Sequence, residues 1–306
     1  MFESGNLDRV VMVSPNEYDL YMRPDTNTRG HHQWFFFKVT SRSNIGTVRF
    51  NILNFTKPRS LYEYGMKLCI CSVKEKELEL ARRRDKGLPT GPLEADTAGW
   101  KRGGLDAKYG LSKLNGIIQR HNQPEGGQSI ISHRRLPLFY QMTFTHEFNY
   151  MDQDETYIAY SFPYTFTRLS RFMRELRENK EIMKHTNDCT PLCQSLAGVD
   201  VPYLIVTSRA NEDNYRLIQK SEHEKDNCPV WQVKKTVVLT GRVHPGESNS
   251  SFMMEGFIRF ITSNKPEAVE LRKRLIFKII PCTNPDGVIA GNYRVSMSGN
   301  DLNRRY

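Results

Sequence analysis

Nowhere in these 306 residues is there an apolar run approaching the ~20 residues that a membrane-spanning helix needs, which excludes that class of protein. The opening MFESGNLDRVVMV has neither the basic start nor the continuous apolar core of a secretory signal, so a cytoplasmic setting is expected. Cysteine is sparse, at positions 69, 71, 189, 193, 228 and 282, and the spacing is not that of a zinc ribbon. Reduced thiols, buried or incidental, are expected. The basic clusters RRRDK (82–86), KR (101–102), HRR (133–135) and RKR (272–274) lack interleaved aromatics, which argues against a nucleic-acid module. No internal repeat is present. Histidine is also scarce, and none follows His244.

What is there fits a soluble, two-domain chain: enough length for more than one core, 38% hydrophobic residues and charges of both signs. The net charge of +10 either concentrates acidic partners or is a solvated basic surface. From Tyr18 to about Tyr160 the ordered segments read as strands. QWFFFKVT (33–40) is aromatic and β-branched, and TVRFNILNF (47–55) alternates apolar with polar. MKLCICSV (66–73), LFYQMTFTHEF (138–148) and ETYIAYSFPY (155–164) continue the pattern, which predicts an antiparallel sandwich. KEKELELARRR (74–84) suits a short helix, and the Gly-rich basic stretch after it, to about His133, suits an exposed loop.

After Pro163 the period changes. FTRLSRFMRELRENKEIM (166–183) has apolar residues at 166, 169, 172, 173 and 176, the stripe of an amphipathic helix. PYLIVTSR (202–209), VKKTVVLTGRV (233–243) and LIFKIIP (275–281) read as strands and FMMEGFIRFI (252–261) as a helix. Such alternation predicts an α/β layer with a largely parallel sheet and a domain boundary near residue 160.

This placement puts His244 and Glu247, in GRVHPGESNS (241–250), in a strand-to-helix loop at the carboxyl end of the sheet, where open α/β sheets carry their sites. Pro245 and Gly246 between them allow a sharp turn, so that imidazole and carboxylate can converge on one point. One nitrogen and one oxygen donor suit zinc. A strand-exit histidine beside a glutamate at a helix N-terminus accounts for the spacing as well, and both remain open here. Beyond the third strand, NPDGV (284–288), GNYR (291–294) and DLNRRY (301–306) bring Arg294, Arg304, Arg305, Asn292 and Asn303 into one stretch. Arginine forks match carboxylates, so this stretch suits an acid group; a polar surface loop is the plain alternative.

HPGE, NPDGV, GNYR and DLNR, in this order and spacing, resemble the M14 zinc metallocarboxypeptidases. HQWFFFKV, FNILNF, YGM, WKRGG and FPYTFTRLSRFM resemble the amino-terminal domain and junction of their cytosolic carboxypeptidase subfamily, whose members trim glutamates from tubulin and other proteins. The likeness covers roughly residues 18–75 and 100–306. It implies an α+β two-domain chain, with an N-terminal β-sandwich domain at 1–160 and a partial zinc carboxypeptidase catalytic domain with a mixed sheet at 161–306. It implies one Zn2+ held by His244 and Glu247, catalytic Arg294 polarising the scissile carbonyl, and Asn303 with Arg304 gripping the terminal carboxylate of the substrate. The implied partners are acidic C-terminal tails or polyglutamate side chains of tubulin and other proteins, in a cytoplasmic setting associated with microtubules or cilia.

The family's third ligand, a histidine, and its general-base glutamate lie further downstream, so both are expected beyond residue 306. The chain is expected to be a fragment with little activity of its own. His223, in SEHEKDN (221–227), is a poor substitute ligand, and Glu255, Glu267 and Glu270 fall in helices before the third strand. An aspartoacylase-type zinc deacylase shares the His-x-x-Glu and Asp-Leu-Asn-Arg elements. A module that binds acidic tails without turnover is the non-enzymatic alternative.

Overall fold

Aromatic and β-branched residues at alternate positions pair the first part of the chain into two sheets. The computed structural model describes residues 2–40, 46–121, 138–149, 153–188, 191–208 and 234–305. Contacts divide the chain into two units, Met1–Pro163 with Gly287–Asp301, and Tyr164–Asp286 with Leu302–Tyr306. The segment 287–301, expected with the second domain, thus belongs by its contacts to the first unit.

In the first unit the elements are β1 (Leu7–Ser14), β2 (Glu17–Met22), β3 (Phe36–Thr40), β4 (Thr47–Phe55), β5 (Leu68–Ser72), α1 (Val73–Asp85), α2 (Pro92–Thr97), β6 (Lys101–Gly103), β7 (Leu105–Leu111), α3 (Leu114–His121), β8 (Tyr140–Glu147) and β9 (Glu155–Ala159). One sheet has the order β1-β2-β4-β8-β7 and the other β3-β9-β5-β6. Leu20, Phe50, Ile52, Met142 and Phe144 of the first sheet share a buried cluster with Phe37, Leu68, Ile70 and Ile158 of the second, so the core lies between the two. The sandwich is not wholly antiparallel: β2 and β4 run parallel, Glu17 opposite Arg49. The chain leaves β2 to form β3 in the other sheet and returns in its original direction, which forces that pairing. The stretch expected to be loop also departs from expectation. It supplies α2, β6, β7 and α3, and β7 pairs with β8 through Tyr109 opposite Met142.

The second unit contains α4 (Phe166–Glu178), α5 (Lys180–Met183), β10 (Thr186–Asp188), β11 (Pro191–Gln194), β12 (Asp200–Pro202), β13 (Leu204–Val206), β14 (Lys235–Thr240), α6 (Asn249–Ile261), α7 (Pro266–Arg274) and β15 (Leu275–Ile280). The helix expected over 166–183 is broken at Asn179, whose backbone is extended and whose side chain accepts from Glu181 and Ile182 N–H to start α5. The apolar stripe Leu169, Phe172, Met173 and Leu176 is buried as its spacing requires. The sheet, in the order β10-β13-β15-β14, is mixed rather than largely parallel. Among the described residues of this sheet β14 and β15 run parallel, whereas β13 lies antiparallel to β15, and β10 to β13. Helix α4 is tied to α6 by the buried Glu255 carboxylate. It accepts from Arg168 Nη2 at 3.1 Å, Arg259 Nη2 at 3.0 Å and the Tyr164 hydroxyl at 2.8 Å. Removing one partner from such a buried ionic cluster costs about 3–5 kcal/mol.

Candidate functional site

The parallel strands β14 and β15 end together, with Thr240 opposite Ile280. Just beyond, Gly241 N–H donates to the Ile280 carbonyl at 2.9 Å, and the Gly241 carbonyl accepts from Thr283 N–H at 3.0 Å. A Cβ at 241 would stand 2.9 Å from the Pro281 carbonyl oxygen and 2.8 Å from Met254 Cγ, so only glycine lets the two strand ends approach this closely.

The turn expected at Pro245-Gly246 is present: both residues lie in a turn that the Glu247 N–H closes onto the His244 carbonyl at 3.2 Å. It needs no left-handed residue at Gly246; the residue with positive φ in this segment is Arg242, at 53°. An arginine in this region is uncommon and has to be held there. Arg242 is buried, and its guanidinium donates from Nε to the Pro245 carbonyl at 2.7 Å and from Nη1 to the Tyr164 carbonyl at 2.9 Å and Ser251 Oγ at 2.8 Å. The side chain therefore reaches forward over the turn and ties it to the start of α4 and to α6. Asn284 Nδ2 holds the Val243 carbonyl at 3.2 Å. On the far side Glu247 N–H donates to the His244 carbonyl at 3.2 Å, and Ser250 Oγ to the Glu247 carbonyl at 2.9 Å, leading into α6.

On this braced turn His244 is buried, while the Glu247 side chain is 51% exposed. His244 Nδ1 and Glu247 Oε1 stand 3.4 Å apart. Two ligands at zinc-bond lengths on adjacent corners of a tetrahedron stand about 3.4 Å apart. The pair therefore fits two corners of a zinc donor set. Among the described residues no group of three His, Cys, Asp or Glu could hold a metal ion. His223 lies outside the described residues. Nearby, the Cys282 thiol is pushed up to about 11 by burial and is a weak candidate for metal ligation.

A short helix, α8 (Pro285–Ala290), leads from the second unit into the first. In the second unit Asp286 accepts from Ser195 Oγ at 2.5 Å and from Ala197 N–H at 3.2 Å. In the first unit the 287–301 segment is gripped by residues near the start of the chain. Ser4 Oγ donates to the Val288 carbonyl at 2.6 Å, Arg23 Nη2 to the Ala290 carbonyl at 2.6 Å, and Asn27 Nδ2 to the Met297 carbonyl at 2.8 Å. Gly291, at φ 78°, comes so close that a Cβ would lie 2.7 Å from the Ser4 carbonyl oxygen. Asn292, grouped by its sequence position with acid-binding residues, is structural. It is buried, accepts from Thr26 N–H and Oγ1 at 3.0 Å each, and donates to the Val295 carbonyl at 3.0 Å.

The Asp25 carboxylate accepts three backbone N–H groups in succession, from Tyr293 at 2.6 Å, Arg294 at 2.7 Å and Val295 at 3.0 Å. Burial pushes the Asp25 carboxyl above its ordinary value, against these N–H groups and the nearby His31, which pull it down. Arg294 itself donates from Nε to Asp301 Oδ2 at 2.7 Å. Asn303 and Arg304 sit in the 3-10 turn Leu302–Arg304 of the second unit, where the exposed Arg304 donates from Nη1 to the Asn303 carbonyl at 2.7 Å.

Three contributors escaped the pattern-level reading: Arg242, Asp25 and Asp301. The only local hint for Asp25 is the turn-like Pro-Asp-Thr-Asn at 24–27, and nothing in sequence links it to residues some 270 positions later.

A family model described as zinc carboxypeptidase matches residues 169–306, and one described as the cytosolic carboxypeptidase N-terminal domain matches residues 1–83. Cytosolic carboxypeptidase 2 of Homo sapiens is 38% identical over 307 residues, covering 100% of this chain and 28% of that protein. Cytosolic carboxypeptidase 3 of Bos taurus is 37% identical over 305 residues, covering 100% of this chain and 25% of its own length. The chain thus spans about a quarter of the length of these curated relatives. Among solved structures, a putative carboxypeptidase A from Shewanella denitrificans OS-217 superposes with a TM-score of 0.65 at 20% identity, over 100% of this chain and 59% of that one. A metallo-carboxypeptidase from Burkholderia cenocepacia does so with a TM-score of 0.64, also at 20% identity, over 100% of this chain and 61% of that one. At that identity the likeness is one of fold. Among the described residues no helix is long and apolar enough to cross a membrane.

Proposed function

Because the chain belongs to the cytosolic carboxypeptidase family of M14 zinc carboxypeptidases, we propose that it is part of an enzyme removing C-terminal glutamates from acidic protein tails, such as polyglutamylated tubulin. The observation that carries this reading is the 3.4 Å separation of His244 Nδ1 and Glu247 Oε1 on a turn braced by Arg242. The family match over residues 1–83 favours a peptidase over an aspartoacylase-type deacylase, and the net charge of +10 suits an acidic substrate.

His244 and Glu247 would hold zinc as two of its protein ligands. When bound, zinc supplies Lewis-acid polarisation of the scissile carbonyl and activation of a water nucleophile. Arg294 directs a fixed positive charge to the oxygen on which negative charge develops, an interaction stronger in the transition state than in the ground state. Asn303 and Arg304 bind the terminal carboxylate, the asparagine as a neutral donor and the arginine as a bidentate cation. That contact is present before and during reaction and sets affinity and register. A cytoplasmic setting near microtubules follows from the same substrate.

The test is release of free glutamate from a peptide bearing a polyglutamate tail, in the intact protein, with and without chelator. Chelator-sensitive release is expected. Release that survives complete metal removal, or cleavage only of internal bonds, would overturn the proposal.

A further inference from the structure

We propose that Asp25 is a positioning residue for Arg294: its carboxylate, by gathering the N–H groups of Tyr293, Arg294 and Val295, fixes the backbone from which the guanidinium is presented. The inference rests on the role proposed above for Arg294.

Three consecutive amides converge on one carboxylate, and N–H dipoles directed at one point are held there by the negative charge that accepts them. Here the anion is supplied by the protein. Asp25 is buried, so its oxygens are not satisfied by bulk water, and three protein amides take that place at 2.6, 2.7 and 3.0 Å. Its own position is set by Asp25 N–H to the Gly30 carbonyl at 3.2 Å and by the Asp25 carbonyl, which accepts from Thr28 N–H at 3.0 Å.

The other ties between this region and the loop reach Val288, Ile289, Ala290, Asn292 and Met297. Only Asp25 takes the amide of Arg294 itself. Beyond the backbone, Asp301 accepts from Arg294 Nε at 2.7 Å. Among the described residues Arg294 Nη1 and Nη2 donate to no protein acceptor, which leaves that edge of the guanidinium for a ligand. One acidic residue thus sets where the arginine starts and another sets which way it faces. A guanidinium displaced by an ångström stays charged but no longer meets the developing oxyanion, so the loss falls on the chemical step.

The experiment pairs hydrogen exchange with a double-mutant cycle. Asp25→Asn keeps one acceptor oxygen and turns an NH2 donor against the backbone N–H groups, at almost unchanged volume. In the chain itself, exchange of the Tyr293, Arg294 and Val295 amides should speed up about tenfold or more. In the intact protein, acting on a glutamate-tailed peptide, Asp25→Asn should lower kcat about tenfold or more with KM little changed. In an Arg294→Ala background the same substitution should add less than about twofold, because the residue it acts through is gone. Unchanged exchange would overturn the clamp. A full further loss of kcat in the Arg294→Ala background would overturn action through Arg294 and leave a structural role only. If Arg294→Ala alone left kcat intact, the role of Arg294 would fail while the exchange result still stood. Asp25→Glu, which keeps the charge but displaces it by one methylene, enters the same cycle should the asparagine variant fold poorly. It is expected to lose kcat and retain stability; full wild-type kcat would count against precise positioning.

Discussion

Arg242 is the residue whose removal should reveal how the His-Pro-Gly-Glu turn is held. Arg242→Ala deletes three guanidinium hydrogen bonds, to the Pro245 carbonyl, the Tyr164 carbonyl and Ser251 Oγ, and leaves these acceptors in a buried setting. Charged hydrogen bonds contribute about 1.5–3 kcal/mol each, and with partial relaxation and water entry the net loss should be about 4 kcal/mol. For a domain of this size that lowers Tm by on the order of 12 °C. A second effect separates the backbone from the side chain. Residue 242 sits at φ 53°, which alanine tolerates no better than arginine. Arg242→Gly removes that strain but adds freedom to the unfolded chain, and strain should win by about 1 kcal/mol. The glycine variant should therefore melt a few degrees above the alanine variant. Zinc affinity, measured by competition with a chromophoric chelator, should fall about tenfold or more in both, as it does when partners that orient ligands are removed. Calorimetry of the three proteins decides the matter. A Tm for alanine within about 3 °C of wild type, or alanine as stable as glycine, would show that Arg242 does not brace the turn.

Arg294→Ala should depress kcat at a cost of about 3 kcal/mol, whereas Arg304→Ala should mainly raise KM, and lysine at 304 should rescue only in part; steady-state kinetics on a glutamate-tailed peptide would refute this division if both variants gave one pattern. Burial pushes the His32 and His146 imidazoles down to about 4, so both stay neutral in the folded first unit while the unfolded chain takes up protons near the ordinary histidine value. Their stability contribution is therefore full above about pH 6.5 and is lost as pH falls toward about 4, by up to about 2 kcal/mol for each at pH 5. Calorimetry at pH 7 and pH 5 should show the loss, reduced when His146 is replaced by glutamine. Gly241→Ala should cost about 2–3 kcal/mol by forcing apart the ends of β14 and β15, read as a lower midpoint in urea; an unchanged midpoint would contradict the close approach at Pro281.

Much of the fold is legible because its causes are local. The stripe at Leu169, Phe172, Met173 and Leu176 buries as spaced, since helical period alone decides which residues share a face. The convergence of His244 and Glu247 is legible for the same reason, being a matter of three intervening peptide units. Strand β7 hides because its charged residues flank only Ala107 and Tyr109 as inward positions, too few to raise a period-two signal. The parallel pairing of β2 with β4 depends on where the intervening chain travels, which periodicity does not encode. Asp25 is invisible for a deeper reason: an aspartate in a turn looks the same whether it faces water or three distant amides. The Pro245-Gly246 turn is legible because both residue types favour turns, whereas the left-handed backbone at Arg242 is not, since such backbone favours glycine and here a well-anchored arginine bears it two residues before the histidine.

The grip of residues 4–27 on residues 288–297 also has a consequence in time. A ribosome makes the first partner about 270 residues before the second. At about 5–20 residues per second the interval is on the order of 15 to 50 s. For most of it the Asp25 carboxylate has left the tunnel, while the three amides that will hydrogen-bond it have not been made. The first unit can pair its sheets in that period but cannot close around the loop. Arg294 therefore acquires its setting late, after the residues of β14 and β15 have been made, and slow translation between residues 163 and 287 would delay that last step without altering either sheet.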